Sequence, residues 1–120
     1  MNVRSMLCAA LLLSAACAPR HAITANPGSA TILAGQKLFG QHCAACHGET
    51  GMGTRYAPNL HSRRVQSKDA EWMFRFITNG DLRDGMPSWS RLAPQRRWQI
   101  VAYLKTLTPP VERARRGSSW

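Results

Sequence analysis

Residues 43–47 read Cys-Ala-Ala-Cys-His, and no other segment limits the possible folds as tightly. Two thiols lie one chain turn apart, and an imidazole follows at once. Three chemistries use such a pair. A redox disulfide uses the sulfurs alone and usually sits in a βαβ pattern, which this chain lacks. A structural zinc site needs further Cys or His ligands at finger-like spacing. His61 is available for that role, but no second Cys pair is. Covalent haem attachment uses the whole motif. Cys43 and Cys46 add across the two vinyl groups, and His47 is then held beneath the iron as proximal ligand.

A cofactor of that kind also answers a folding problem. The chain has 120 residues, yet helical patterning covers only about 31–108. A domain so short is marginal on its core alone and often relies on a metal or another staple. Hydrophobic residues make up 44% and charged residues 18%, which is ordinary globular composition.

The ends of the sequence have other tasks. Residues 1–16 read as an export signal: Arg4 supplies the positive start, and Met6 to Ala16 form an apolar stretch rich in Leu and Ala. That stretch is too short for a good transmembrane helix, which needs roughly 20 apolar residues. Leu13-Ser14-Ala15-Ala16-Cys17 resembles the lipobox of bacterial lipoproteins, although Ser14 stands where Leu is most typical. The resemblance implies a diacylglycerol on Cys17. The count of cysteines agrees. Cys8 leaves with the signal, Cys43 and Cys46 are engaged, and Cys17 is otherwise a spare thiol in an oxidising compartment. Residues 17–30 read as a flexible tether and 109–120 as a basic disordered tail, which leaves 31–108 as the folded domain.

The patterning within that domain predicts an all-α fold. A first helix runs from Thr31 to Gln41 or His42, with Leu38 and Phe39 facing inward and Gly35 on nearly the same face. A Gly there costs about 1 kcal/mol of helix propensity, which points to a close helix crossing. A middle helix begins with Ser67 as N-cap and carries Asp69 and Glu71 in its first turns. Trp72, Met73, Phe76 and Ile77 form its stripe, and Gly80 ends it. A last helix begins near Pro94, places Trp98, Val101 and Leu104 on one face with Ile100 and Tyr103 beside it, and stops before Pro109-Pro110. Between Gly80 and this helix lies Gly85-Met86-Pro87-Ser88-Trp89. A thioether is a soft ligand suited to haem iron, and the other reading of Met86 is a buried side chain packing beside the cofactor.

In this order of parts the chain resembles the class I cytochrome c family over about Ala34 to Leu107. Gly35-Gln36-Lys37-Leu38-Phe39 precedes the attachment motif as the family's first helix does. Pro58-Asn59-Leu60 looks like the segment whose Pro carbonyl accepts the proximal His Nδ1 hydrogen bond. Gly85-Met86-Pro87 looks like the axial Met loop, and Ile100-Val101-Ala102-Tyr103-Leu104 looks like the final helix that packs on the first. The resemblance implies a small fold of three main helices plus loops wrapped round one covalent haem c. It also implies His47 and Met86 as iron ligands, Pro58 behind His47, and Trp89 packing near the haem beyond Met86. The glycines of 48–53 read either as a close approach to the haem edge or as a flexible turn. Arg55, Tyr56, Arg63 and Arg64 are propionate candidates, and no spacing singles one out. His42 is expected to be exposed, and His61 is the alternative axial ligand.

Both axial positions filled by protein leave no open site for a substrate, so the expected function is single-electron transfer and not catalysis. Nothing adds the distal acid–base pair of a peroxidase or the output domain of a gas sensor. The net charge of +10 admits nucleic acid, an anionic membrane or an acidic protein. No nucleic-acid motif supports the first. The expected partners are redox proteins, namely a dehydrogenase, an oxidase or another cytochrome, met in the periplasm, with the membrane reached through Cys17.

Overall fold

The computed structural model describes residues 27–109, so the expected export signal, Cys17 and most of the basic tail lie outside the described residues. The elements are α1 (Ser29–His42), α2 (Ala44–His47), α3 (Arg63–Gln66), α4 (Ala70–Asn79) and α5 (Pro94–Leu104). The described residues contain no strand, and their one ladder contact is the antiparallel bridge between Asp81 and Met86. The architecture is all-α, as the patterning predicts. No helix among the described residues is long and apolar enough to cross a membrane.

The crossing of α1 and α5 organises the core. A methyl group built on Gly35 would stand 1.9 Å from the Gln99 carbonyl oxygen and 3.0 Å from Tyr103 Cβ. The two backbones therefore touch, and only a residue without Cβ allows it. Beside this contact the rings of Phe39 and Tyr103 meet at 5.3 Å between centroids, tilted by 55°. Phe39, Ile100 and Val101 are the most deeply buried large side chains. Leu38, Ala44, Leu60, Met73, Ile77, Leu104 and Leu107 complete the cluster.

α4 departs from expectation at its start. Ser67 is not its N-cap. It ends the short helix α3, with its hydroxyl donating to the Arg64 carbonyl at 3.2 Å. Asp69 caps α4 instead, accepting the Trp72 amide at 2.6 Å. A carboxylate facing the free amides of a first turn is favoured by hydrogen bonding and by the helix dipole. Of the expected stripe, Met73 and Ile77 are buried, whereas Trp72 and Phe76 are half-buried and stacked 4.8 Å apart. Trp98 is also half-buried, because it faces α4 and stacks on Phe74 at 4.3 Å.

α5 starts at Pro94 as expected and ends at Leu104, before the two prolines. The chain turns there and brings Leu107 back into the core. Lys105 Nζ donates to the carbonyls of Gln66 and Lys68 at 3.2 and 3.0 Å, and Gln66 Nε2 donates to Leu60 and Leu104 carbonyls at 2.8 and 3.1 Å. These bonds tie α3 to α5.

Candidate haem site

α1 ends at His42 and is capped by Cys43, whose amide bonds to the Phe39 carbonyl at 2.8 Å. The single turn α2 then carries Cys46 and His47, and the His47 amide returns to the Cys43 carbonyl at 2.9 Å. The motif is thus one tight helical turn set on the end of α1. Cys43 is half-buried and Cys46 exposed, and both are free thiols. Burial, and to a lesser degree the neighbouring Cys46, push the Cys43 thiol up to about 11. A redox Cys-x-x-Cys pair activates a thiolate by lowering its pKa. The opposite shift at Cys43 argues against that chemistry.

His47 Nδ1 lies 3.2 Å from the Pro58 carbonyl oxygen. A carbonyl only accepts, so Nδ1 carries the hydrogen and Nε2 keeps its lone pair for a metal. Desolvation lowers the His47 pKa, with the bond to Pro58 acting the other way, and the net effect favours the neutral imidazole a metal requires. The loop between them is wound to deliver that carbonyl. Gly53 N donates to the His47 carbonyl, Leu60 N to Gly51, and Thr54 Oγ1 to the Cys46 carbonyl, at 2.8, 2.8 and 2.6 Å. The glycines of 48–53 therefore form an ordered, hydrogen-bonded turn.

Met86 is held by a second device. It exchanges two backbone hydrogen bonds with Asp81, at 2.8 and 2.9 Å. Gly80, with φ +69°, ends α4 directly beneath this loop; a Cβ there would stand 2.6 Å from Pro87 C and Ser88 N. The loop is stitched to the last turn of α4 by Trp89 N to the Ile77 carbonyl at 3.0 Å and Ser88 Oγ to the Thr78 carbonyl at 2.7 Å.

Cys43, Met86 and Trp89 all pack, half-buried, on the same apolar cluster. The Trp89 ring meets the His42 ring at 5.0 Å, and the Arg91 guanidinium lies 4.8 Å from the Trp89 ring centroid. That contact sets the Met86 loop beside the attachment turn. It also corrects the expectation for His42, which is half-buried because Trp89 covers it. His61 is no candidate ligand. It is buried, with Nε2 and Nδ1 placed 2.8 and 3.2 Å from the carbonyls of Thr50 and Thr108. The described residues contain no group of three or more His, Cys, Asp or Glu side chains suited to a metal ion, which leaves the zinc reading without ligands. Of the propionate candidates, Arg55 stacks on Tyr56 and bonds its hydroxyl, and Arg63 and Arg64 are exposed on α3.

The donor set fits a haem: two free thiols within a turn, an imidazole nitrogen with its lone pair free of the Pro58 bond, a soft thioether, and apolar side chains only partly covered by protein. α4 adds an open groove lined by Trp72, Arg75, Phe76, Asn79 and Gly80. Two residues that shape this region carry no motif: Thr78 and Arg97. A sign was available for Arg97 alone, a charged residue set in the apolar stripe of α5.

Residues 30–104 match the family model described as Cytochrome C oxidase, cbb3-type, subunit III. The chain is 31% identical over 77 residues to cytochrome c550 of Pseudomonas aeruginosa strain PAO1, a match covering 61% of this chain and 53% of that protein. It is 37% identical over 79 residues to the cbb3-type cytochrome c oxidase subunit FixP of Bradyrhizobium sp. strain ORS 278, covering 62% of this chain and 27% of that protein. The chain thus spans about half the length of the first relative and about a quarter of the second. Among solved structures, the KustC0563 c-type cytochrome superposes with a TM-score of 0.55 at 26% identity, covering 62% of this chain and 96% of that one. With a family match over most of the folded region, and an attachment turn, proximal hydrogen bond and helix crossing in the expected order, the chain belongs to the class I monohaem c-type cytochromes, within the family of the cbb3-type oxidase subunit III model, and its cofactor is one covalent haem c with its iron.

Proposed function

We propose that this cytochrome is a single-electron carrier of an extracytoplasmic electron-transfer chain, with His47 and Met86 as the axial ligands of its haem iron. The observation that carries this reading is the His47 Nδ1–Pro58 carbonyl contact of 3.2 Å, which fixes the tautomer and leaves Nε2 for the metal. Haem c, when bound, supplies a one-electron iron couple whose potential depends on the axial ligands. Cys43 and Cys46 hold it through thioethers. Pro58 orients His47 and raises its basicity as a ligand. Met86 offers a soft sulfur that favours ferrous iron, from a loop fastened to α4, and Trp89 shields that side from water. Both axial positions are then occupied by side chains, which suits a carrier and leaves no place for a substrate.

The apolar start of the chain and the lipobox-like 13–17 segment support export to the periplasm and a diacylglycerol anchor on Cys17. Because one relative is named as a subunit of a cbb3-type oxidase, a terminal oxidase is the foremost partner, with a dehydrogenase or second cytochrome in the same role.

Replacing Met86 tests the ligand set. The ferrous wild-type protein should resist carbon monoxide, and Met86→Ala should bind it rapidly. The reduction potential of Met86→Ala should fall on the order of 0.1 V, within the roughly 0.8 V that axial ligands command. A variant that matches the wild type in both readouts contradicts the assignment.

A further inference from the structure

α5 carries an arginine where its stripe asks for an apolar residue. Arg97 lies three positions before Ile100 and four before Val101, on the face turned to the core, and it is only 7% exposed. Burying a guanidinium without a carboxylate is costly unless its donors are satisfied. Among the described residues its partners are the Thr78 hydroxyl, to which one terminal nitrogen donates, and the Phe74 ring, 4.8 Å below Cζ. Its Nε is buried with no hydrogen-bond partner. The charge is therefore incompletely compensated, and a Met or Leu would fill the space at less cost.

The hydrogen bonds lead from Thr78 to the Met86 loop. The Thr78 hydroxyl donates to the Phe74 carbonyl at 2.7 Å, and the Thr78 carbonyl accepts from Ser88 Oγ at 2.7 Å. One residue earlier, the Ile77 carbonyl accepts the Trp89 amide at 3.0 Å. The last turn of α4 thus grips the chain just beyond Met86, and Arg97 reaches from α5 to grip that turn.

We propose that Arg97 is a positioning residue for Met86: through Thr78 and Ser88 it fixes the loop so that the sulfur stays on the iron. The inference rests on Met86 being an axial ligand. A guanidinium suits the task because it presents its donors in a fixed plane. A purely structural role, joining α4 to α5, makes a different prediction, because it moves unfolding without moving ligand release.

Haem-loaded Arg97→Met, Arg97→Lys, Thr78→Val and Ser88→Ala are compared with the wild type and with Met86→Ala. Three properties are read: carbon monoxide affinity of the ferrous protein, the sulfur-to-iron charge-transfer band of the ferric protein, and thermal unfolding. Carbon monoxide binds only the fraction with the sulfur detached, so its apparent affinity reports that fraction. Arg97→Met should raise the affinity at least about tenfold, equivalent to about 1.4 kcal/mol, and weaken the band. Arg97→Lys should recover part of the loss, since an ammonium can still donate to Thr78. Ser88→Ala, at an exposed position, should shift the affinity the same way by less. If Arg97→Met does not accumulate with haem, Thr78→Val and Ser88→Ala decide the same question. Wild-type affinity and band in Arg97→Met, Thr78→Val and Ser88→Ala, with only the unfolding temperature lowered, overturn the proposal. Wild-type affinity in Met86→Ala removes the ligand assignment and this inference with it; an open Met86→Ala beside closed Arg97 variants removes this inference alone.

Discussion

Tyr103 and Tyr56 are chemically alike and physically opposed, at 8% and 65% exposure. Burial disfavours the phenolate and raises the Tyr103 pKa above its ordinary 10.0. The consequence for stability has a definite sign. Between the unfolded value and the higher folded value, the folded chain holds a proton that the unfolded chain has lost. Stability is therefore full below about pH 10 and falls as pH rises toward the folded pKa. Unfolding measured by denaturant should show this decline above pH 10 in the wild type and a shallower one in Tyr103→Phe. Equal slopes would mean that Tyr103 does not ionise later in the fold. The same physics, acting on the half-buried Cys43, separates an attachment thiol from an activated redox one.

At the scale of elements, the contact of α1 with α5 is the most exacting. Gly35→Ala gains about 1 kcal/mol of helix propensity. It also drives a methyl to 1.9 Å from the Gln99 carbonyl, a backbone atom that yields only if the helices separate. Overpacking of a close-packed site costs typically 1–3 kcal/mol, and here the obstacle is rigid. The net effect should be a loss of about 2 kcal/mol in denaturant unfolding of the haem protein. Unchanged or increased stability would contradict so close a crossing. This crossing was legible in the sequence because a Gly among helix formers, one turn before Phe39, signals an approach. The entrances to α4 were less legible. Ser67 and Asp69 are both good caps two residues apart, and the choice depends on α3, a single turn with no hydrophobic stripe to announce it. The site divides in the same way. Cys43, Cys46, His47 and the Pro58 carbonyl follow from local spacing and family order. The chain from Arg97 through Thr78 to Ser88 joins residues far apart in sequence by hydrogen bonds, which leave no period to read.

At the scale of the molecule, the net charge of +10 acts before any contact forms. A basic protein meeting an acidic redox partner gains encounter rate from long-range attraction, and salt removes that gain as the Debye length shrinks from about 30 Å at 0.01 M to about 8 Å at 0.15 M. Electron-transfer rates with the physiological partner should fall on the order of tenfold across that range. Rates indifferent to ionic strength would show that charge does not guide the encounter. The charge, like the apolar start of the chain, is a property of the whole sequence and was readable without a fold.

The account depends on a porphyrin joined to the attachment turn, and peptide mass mapping of the denatured protein tests this most directly. Digestion should yield a fragment containing residues 43–47 whose mass includes one haem, with neither Cys43 nor Cys46 open to alkylation. The same fragment recovered at its bare peptide mass, with two reactive thiols or a disulfide between them, would contradict it.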